Sequence, residues 1–246
     1  MFAFRLLACI LIILGSAPAS AAPAAGSRRW TFTAEPYLMA PFMNGATGIG
    51  PVRFSGSTSP RNLFANLNWG VMGLLEANNG RFGLAFDGTY MNLEMERRGL
   101  VDRVGGHQGA YAVMGLARIH RFAEAYAGVR VNDLGVDISA TDPRTGAPVA
   151  VRNSETWVDP LVGLRVRGPL SRTVDLAMLA DVGGFGAGSD IAAQAWPTLG
   201  VRLSESVQAK LGYRVIYMKY ETGEGLRAFR FDVMAHGPTA GIRFRF

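Results

Sequence analysis

Residues 158–167 read VDPLVGLRVR, residues 173–182 TVDLAMLADV and residues 207–215 VQAKLGYRV. In the first, Val158, Val162, Leu164 and Val166 alternate with Asp159, Arg165 and Arg167. In the second, Val174, Leu176, Met178, Ala180 and Val182 alternate with Asp175 and Asp181. In the third, Val207, Ala209, Leu211, Tyr213 and Val215 alternate with Lys210 and Arg214. A repeat of two is the mark of a β-strand with unlike faces. A basic side chain turned to hydrocarbon at mid-depth costs roughly 2 to 4 kcal/mol, and several such costs would consume the about 5 to 15 kcal/mol that holds a fold together. In a membrane the charges must therefore point into a closed barrel and the aliphatic side must point out.

A soluble sandwich or lipocalin-like barrel would turn the same alternation inside out, and period alone does not separate the two. Three features favour lipid outside. The aliphatic set recurs on nearly every strand. Trp30, Phe32, Tyr213, Tyr217 and Phe244 fall near expected strand ends, where aromatic girdles belong. The sequence also finishes on an aromatic, Phe246. Composition agrees: 49% hydrophobic and 10% aromatic residues with 31 glycines, yet after residue 21 no apolar stretch long enough for a spanning helix. A chain that spans lipid without such a helix must pair every backbone group by closing a barrel.

Outward from those segments the pattern repeats. Trp30, Phe32, Ala34, Leu38, Ala40 and Phe42 share one face, and Thr31, Thr33, Glu35 and Tyr37 the other. Leu67, Trp69, Val71 and Leu75 oppose Asn68 and Glu76. Phe82, Leu84, Phe86 and Tyr90 oppose Arg81 and Asp87, with the tight-turn dipeptide Asn79-Gly80 between. Strands are predicted over 30–43, about 67–76, about 82–90, 107–119, 124–139, 155–167, 173–187, 191–203, 207–220 and 228–246. The fold class is all-β, a closed antiparallel transmembrane barrel of about ten strands, within a range of eight to twelve. Connections at 78–80, 120–123, 169–172 and 204–206 are short. They alternate with longer ones at 44–66, 97–106, 140–153 and 221–227, while 188–190 breaks the rule. Ser59-Pro60 followed by Leu63 and Phe64 predicts one short helix in the first long connection. Pro36, Pro41, Pro160, Pro197 and Pro238 sit in or beside strands, where they remove ladder donors. A bulge is expected near Gly237-Pro238, because the inward set shifts between His236 and Arg243.

The N-terminus reads as a leader: Arg5, an unbroken apolar run from Leu6 to Leu14, then Ala19-Ser20-Ala21. The expected organisation is a cleaved signal peptide over 1–21, a flexible segment over 22–29 and the barrel over 30–246. Cys9 is the only cysteine, so the mature protein has no disulfide or thiolate metal site. The formal charge of +6 includes Arg5; the modest basic excess is read as a solvated or lumenal set, and no nucleic-acid partner is expected.

The ending GPTAGIRFRF, residues 237–246, resembles the C-terminal assembly signal of bacterial outer-membrane barrels, carried by Ile242, Phe244 and Phe246. The segments WVDPLVGLRVRGPLS (157–171), ADVGGFGAGSD (180–190) and LGYRVIYMKYETG (211–223) resemble uncharacterised proteobacterial outer-membrane β-barrel proteins. The likeness covers most of residues 30–246. It implies export through the periplasm, delivery by periplasmic chaperones, insertion by the barrel-assembly machinery and contact with outer-membrane lipids in a Gram-negative envelope. It assigns no reaction and no ligand.

Candidate chemistry is sparse. His107, His120 and His236 are scattered, so a Ser-His pair acting on lipid finds no constellation, and no enzyme activity is expected. No cofactor or metal is expected: there is no H-E-x-x-H motif, and Asp133, Asp137 and Asp142 lack a calcium-loop pattern. The tract GGFGAG precedes a strand, not the helix a phosphate loop requires, and reads as close backbone packing at a rim. What remains is a lumen set: Glu35, Glu76, Asp87, Arg130, Asp159, Arg165, Arg167, Asp181, Arg202, Arg214 and Arg243. Barrels of about eight strands are filled by side chains and open channels appear at about 16, so these residues are expected to form a salt-bridged plug. A structural or surface-interaction role comes first, a narrow channel for small solutes second and a lipid-modifying enzyme third.

Overall fold

The computed structural model describes residues 29–50, 52–96, 103–141, 148–225 and 228–246. The expected leader and nearly all of the segment after it lie outside the described residues. The elements are β1 (Thr31–Met39), β2 (Phe42–Ile49), β3 (Val52–Thr58), helix α1 (Pro60–Ala65), β4 (Leu67–Asn78), β5 (Phe82–Glu96), β6 (Arg103–His120), β7 (Ala123–Thr141), β8 (Pro148–Pro169), β9 (Val174–Gly183), β10 (Ile191–Arg202), β11 (Val207–Thr222) and β12 (Phe229–Arg245). Each strand pairs antiparallel with the next from β4 to β12. β1 closes the ring, pairing with β4 through Thr31↔Asn78 to Pro36↔Gly73 and with β12 through Thr33↔Arg245 to Met39↔Thr239. Ten strands thus form the closed barrel, as the alternation predicts.

The remaining two strands fall within 42–58, of which 44–58 is expected to be loop. β2 continues along β12 where β1 leaves off, from His236↔Phe42 to Phe229↔Ile49, and β3 pairs back on β2. β1 and β2 are therefore one rising strand broken at Ala40-Pro41, and β3, α1 and β4 follow one another back down. Pro41 has no amide to give the ladder. Gly237 makes the break possible from the other side: a Cβ there would stand 2.1 Å from the Ala40 carbonyl oxygen. The expected bulge near Gly237-Pro238 is absent, since β11 and β12 pair in unbroken register from Val207↔Phe244 to Thr222↔Phe229. The opposite edge of β12 keeps one register as well, through β1 and on into β2, and the inward set does not shift because His236 faces outward beside Tyr213 and Phe42. The helix forms as expected, with Ser59 Oγ accepting from the Asn62 amide and Pro60 in the first turn.

The partition of faces is the one the alternation demands. Leu164 and Val162 are 52% and 49% exposed on the outside of the barrel, while Arg165 and Asp159 are 5% and 0% exposed inside. The outer apolar belt runs from a short-turn rim carrying Trp30, Phe32, Phe82, Phe122 and Phe244 up to a level marked by Trp69 and Tyr90, whose rings stack. Above Val158 the outward positions of β8 become Thr156, Ser154 and Arg152, all exposed. The belt is about ten residues deep along a tilted strand, matching an apolar band of about 25 Å.

Strand heights are unequal. β9 has 10 residues, about what a tilted strand needs to cross, whereas β7 and β8 have 19 and 22. β8 pairs with β9 only from Leu161↔Gly183 downward. The alternation predicts a strand over 173–187, but β9 stops at Gly183 because Gly184, Phe185 and Gly186 all take positive φ and turn the chain inward.

Candidate functional site

The interior is built in storeys, each assembled by strand register. Nearest the short turns, Arg165 on β8 donates from Nη1 to Glu76 Oε2 at 2.6 Å, from Nη2 to Glu76 Oε1 at 2.9 Å and from Nε to Glu124 Oε2 at 2.8 Å. Arg167, two residues on and so on the same face, donates to Glu124 Oε1 at 3.0 Å. Asn78 Nδ2 reaches both carboxylates. Beside this fork Glu35, 2% exposed, takes Lys210 at 2.8 Å and Arg243 at 2.8 Å. Two cations share one carboxylate there, and two carboxylates share two guanidiniums next door.

The middle storey crosses the lumen. Arg214 donates to Asp87 Oδ2, to the Tyr37 hydroxyl and to Gln194 Oε1, each at 2.6 Å. Tyr37 donates onward to Asp87 Oδ1 at 2.7 Å. Gln194 Nε2 reaches Asp181, which also receives the Tyr126 hydroxyl and Arg130 Nη2, both at 2.9 Å. The indole of Trp196 lies under Arg214, 4.8 Å from its guanidinium carbon, and donates to Thr239 at 3.0 Å. These side chains come from β1, β5, β7, β9, β10, β11 and β12, so the chain of contacts spans the barrel from wall to wall. Each carboxylate is satisfied by charge-assisted donors, the condition under which buried ions are tolerated. Arg130 Nη1 is the one buried side-chain nitrogen or oxygen without a hydrogen-bond partner among the described residues.

The storey toward the long strands changes character. Asp159, fully buried, has no cation within ion-pair distance among the described residues. It accepts instead from the Ser189 amide at 2.6 Å, the Ser189 hydroxyl at 2.9 Å and Asn132 at 2.8 Å. Ser189 in turn accepts from the Trp157 indole at 2.8 Å. The turn 184–190 is thereby latched onto β8, and Gly188 is required because a Cβ would sit 2.4 Å from the Val158 carbonyl oxygen. Above it Trp157 lies parallel to Tyr220, with centroids 4.1 Å apart, and Phe231 and Phe229 close the cluster with Met218, Val233 and Leu134.

Of the lumen set read from sequence, Glu35, Glu76, Asp87, Arg130, Asp159, Arg165, Asp181 and Arg214 are buried inside. Arg167 and Arg243 reach the same carboxylates from the short-turn mouth. Arg202 does not join them: it ends β10, where the wall stops, and its side chain emerges into solvent at the rim. The set also omitted working members. Glu124 has the strand parity of Arg130, and Lys210 that of Arg214, so parity alone would have found both. Tyr37, Tyr126, Gln194 and Ser189 are uncharged, and nothing in their local sequence marks them as partners of distant carboxylates.

The three histidines stay apart. His107 faces outward and meets Asp133 at 3.2 Å, His120 Nδ1 accepts from the Phe122 amide, and His236 meets the Tyr213 hydroxyl at 2.7 Å. Asp133 is further engaged by Thr156 and Asp137 by Arg152; Asp142 lies outside the described residues. No group of histidine, cysteine and carboxylates that could hold a metal occurs among the described residues. Ile242, Phe244 and Phe246 are exposed on the outer face, with the Phe246 amide donating to the Phe32 carbonyl at 2.9 Å across the closing seam.

The short-turn mouth opens into a cavity of about 490 Å³ lined by Glu76, Asn78, Arg118, Arg121, Arg167, Asp175, Gln208, Lys210, Arg243 and Arg245 among others. A second cavity, of about 70 Å³, lies higher, between Asp87, Arg130, Asn132, Trp157, Arg214 and Phe231.

No protein-family model and no curated protein matches this sequence. Among solved structures it is similar to the attachment invasion locus protein Ail of Yersinia pestis, at 10% identity over 88% of this chain and 98% of that one, with a TM-score of 0.37. It is similar also to Neisserial surface protein A, at 10% identity over 88% and 97% of the two chains and a TM-score of 0.35. A FadL homologue of Pseudomonas aeruginosa matches at 8% identity over 88% and 89%, with a TM-score of 0.36.

Proposed function

We propose that this chain is an integral outer-membrane barrel of a Gram-negative envelope, with a plugged lumen and a structural or surface-interaction role. The carrying observation is the wall-to-wall contact chain from Tyr37 through Asp87, Arg214, Gln194 and Asp181 to Arg130. A solute crossing the barrel would have to break several buried charge-assisted hydrogen bonds at once. Lipid wets the aliphatic belt, and the short-turn rim, where the barrel's first and last strands meet, faces the periplasm. Periplasmic chaperones deliver the chain, and the barrel-assembly machinery engages the strand ending in Ile242, Phe244 and Phe246. The tall strands β7 and β8 stand beyond the outer leaflet and carry the interacting surface.

The expected behaviour in planar bilayers is no single-channel step for the purified protein. Steps whose ion selectivity reverses in Arg165→Glu would replace this reading by the narrow channel. Orientation is tested in the mature chain, which is free of cysteine once the expected leader is removed. Arg152→Cys should react with an impermeant maleimide on intact cells, and Arg121→Cys only after the outer membrane is permeabilised. Reaction of Arg121→Cys on intact cells, with Arg152→Cys silent, would invert the topology.

A further inference from the structure

We infer that the short-turn mouth is a binding site for a soluble oligo-anion carrying two or more phosphate or carboxylate groups. Charge accounting leads there. On the floor of the mouth three carboxylates, Glu35, Glu76 and Glu124, face four cations, Arg165, Arg167, Lys210 and Arg243. Around the opening stand Arg29, Arg118, Arg121 and Arg245, all exposed and none in an ion pair among the described residues. Of the acidic side chains at that end, Asp175 lines the cavity and is occupied by Gln208 at 2.8 Å, and Glu205 stands exposed on the 204–206 turn, outside the lining. The mouth therefore holds a surplus of positive charge in a cavity of about 490 Å³, sealed above by the cross-lumen storey. A concave, one-ended, low-dielectric cup lined by one sign of charge focuses its field and concentrates counter-ions.

The residue type narrows the ligand. Guanidinium groups present planar forks that match phosphate and carboxylate oxygens two at a time, and seven of the eight surplus-bearing cations named above are arginine. The volume lies within the range of small-molecule sites and exceeds what one inorganic phosphate fills. The amide nitrogens of Asn78 and Gln208 on the same lining are already given to Glu76, Glu124 and Asp175, so recognition of the anion falls to the arginines. The ring is separable from the ionic filling beneath it: Arg29, Arg118, Arg121 and Arg245 are exposed and form no ion pair among the described residues.

The test titrates detergent-folded protein calorimetrically with inorganic pyrophosphate, with citrate and with neutral maltotriose. Pyrophosphate or citrate should bind, and maltotriose should not. The anion affinity should fall at least about tenfold as sodium chloride rises from about 50 to about 300 mM. The double variant Arg118→Glu, Arg245→Glu should lose at least about tenfold in affinity while keeping its heat-modifiable gel mobility. Lys219→Glu, at the opposite end of the barrel, should bind as the parent does. Pyrophosphate binding alone assigns a phosphorylated ligand, and equal binding of citrate assigns the shared charge. Failure of both anions to bind overturns the site, as does undiminished binding by the folded double variant.

Discussion

The two ends of the lumen wear the same apolar coat and are filled by opposite means. Toward the short turns, Arg165, Glu76, Glu124, Lys210 and Glu35 fill the space with ions. Toward the long strands, Trp157, Tyr220, Phe229 and Phe231 fill it with rings. Outside, Leu164 and Val158 of the same strand β8 are alike in exposure. Lipid constrains only the outward positions, so the inward ones are free to be anything that leaves no polar group unpaired. An ionic filling answers that condition with complementary partners, and an aromatic one by having few polar groups to satisfy. The ionic end should therefore fail by leaving a charge orphaned, and the aromatic end by leaving a void.

That contrast can be broken most forcefully at Arg165. Arg165→Met strands Glu76 and Glu124 in a water-poor lumen, and urea unfolding in lipid vesicles should show a loss of about 4 kcal/mol. Adding Glu76→Gln and Glu124→Gln should return most of it, because the penalty is orphaned charge and not lost volume. At the aromatic end, Trp157→Ala should cost about 3 kcal/mol through the cavity left beside Tyr220. Trp157→Phe, which keeps most of the ring, should recover more than half, whereas no change of neighbouring charge should help. Sharper still is Ser189→Ala. It removes a donor from buried Asp159 and an acceptor from Trp157, and a loss of about 1 to 2 kcal/mol is expected in the same measurement. The smallest effect belongs to Arg202→Gln. Its side chain stands in solvent at the rim, so a change within about 0.5 kcal/mol is expected. A larger loss there would mean that Arg202 belongs to the ionic filling after all.

The rims differ as the fillings do. At the short-turn rim the Asn79 side chain accepts from the Arg81 and Phe82 amides and Gly80 takes φ of 86°, a local motif that Asn-Gly announces on its own. At the other rim the stretch 44–58 carries glycine, serine and threonine with little alternation, and its sequence predicts loop. It is strand because β12 continues upward and offers an unpaired edge from Phe229 to His236, which no property of residues 44–58 reveals. β8 likewise starts at Pro148 and not near 155, since above the lipid its outward face no longer has to be apolar and the alternation that marks a strand fades.

Sequence by itself determined the ring and its faces. Once hydrocarbon is the outer solvent, period-two alternation and the cost of charge in it leave one arrangement for Val162, Arg165 and Leu164, and counting such segments gives about ten, within eight to twelve. It also determined that carboxylates and guanidiniums would meet inside. Only the tertiary structure decided which ones meet: Arg165 finds Glu76 across 89 residues and Arg243 finds Glu35 across 208. The physical reason is that strand faces are set by local covalent geometry, whereas a partner across a lumen is set by the summed register and tilt of every strand between.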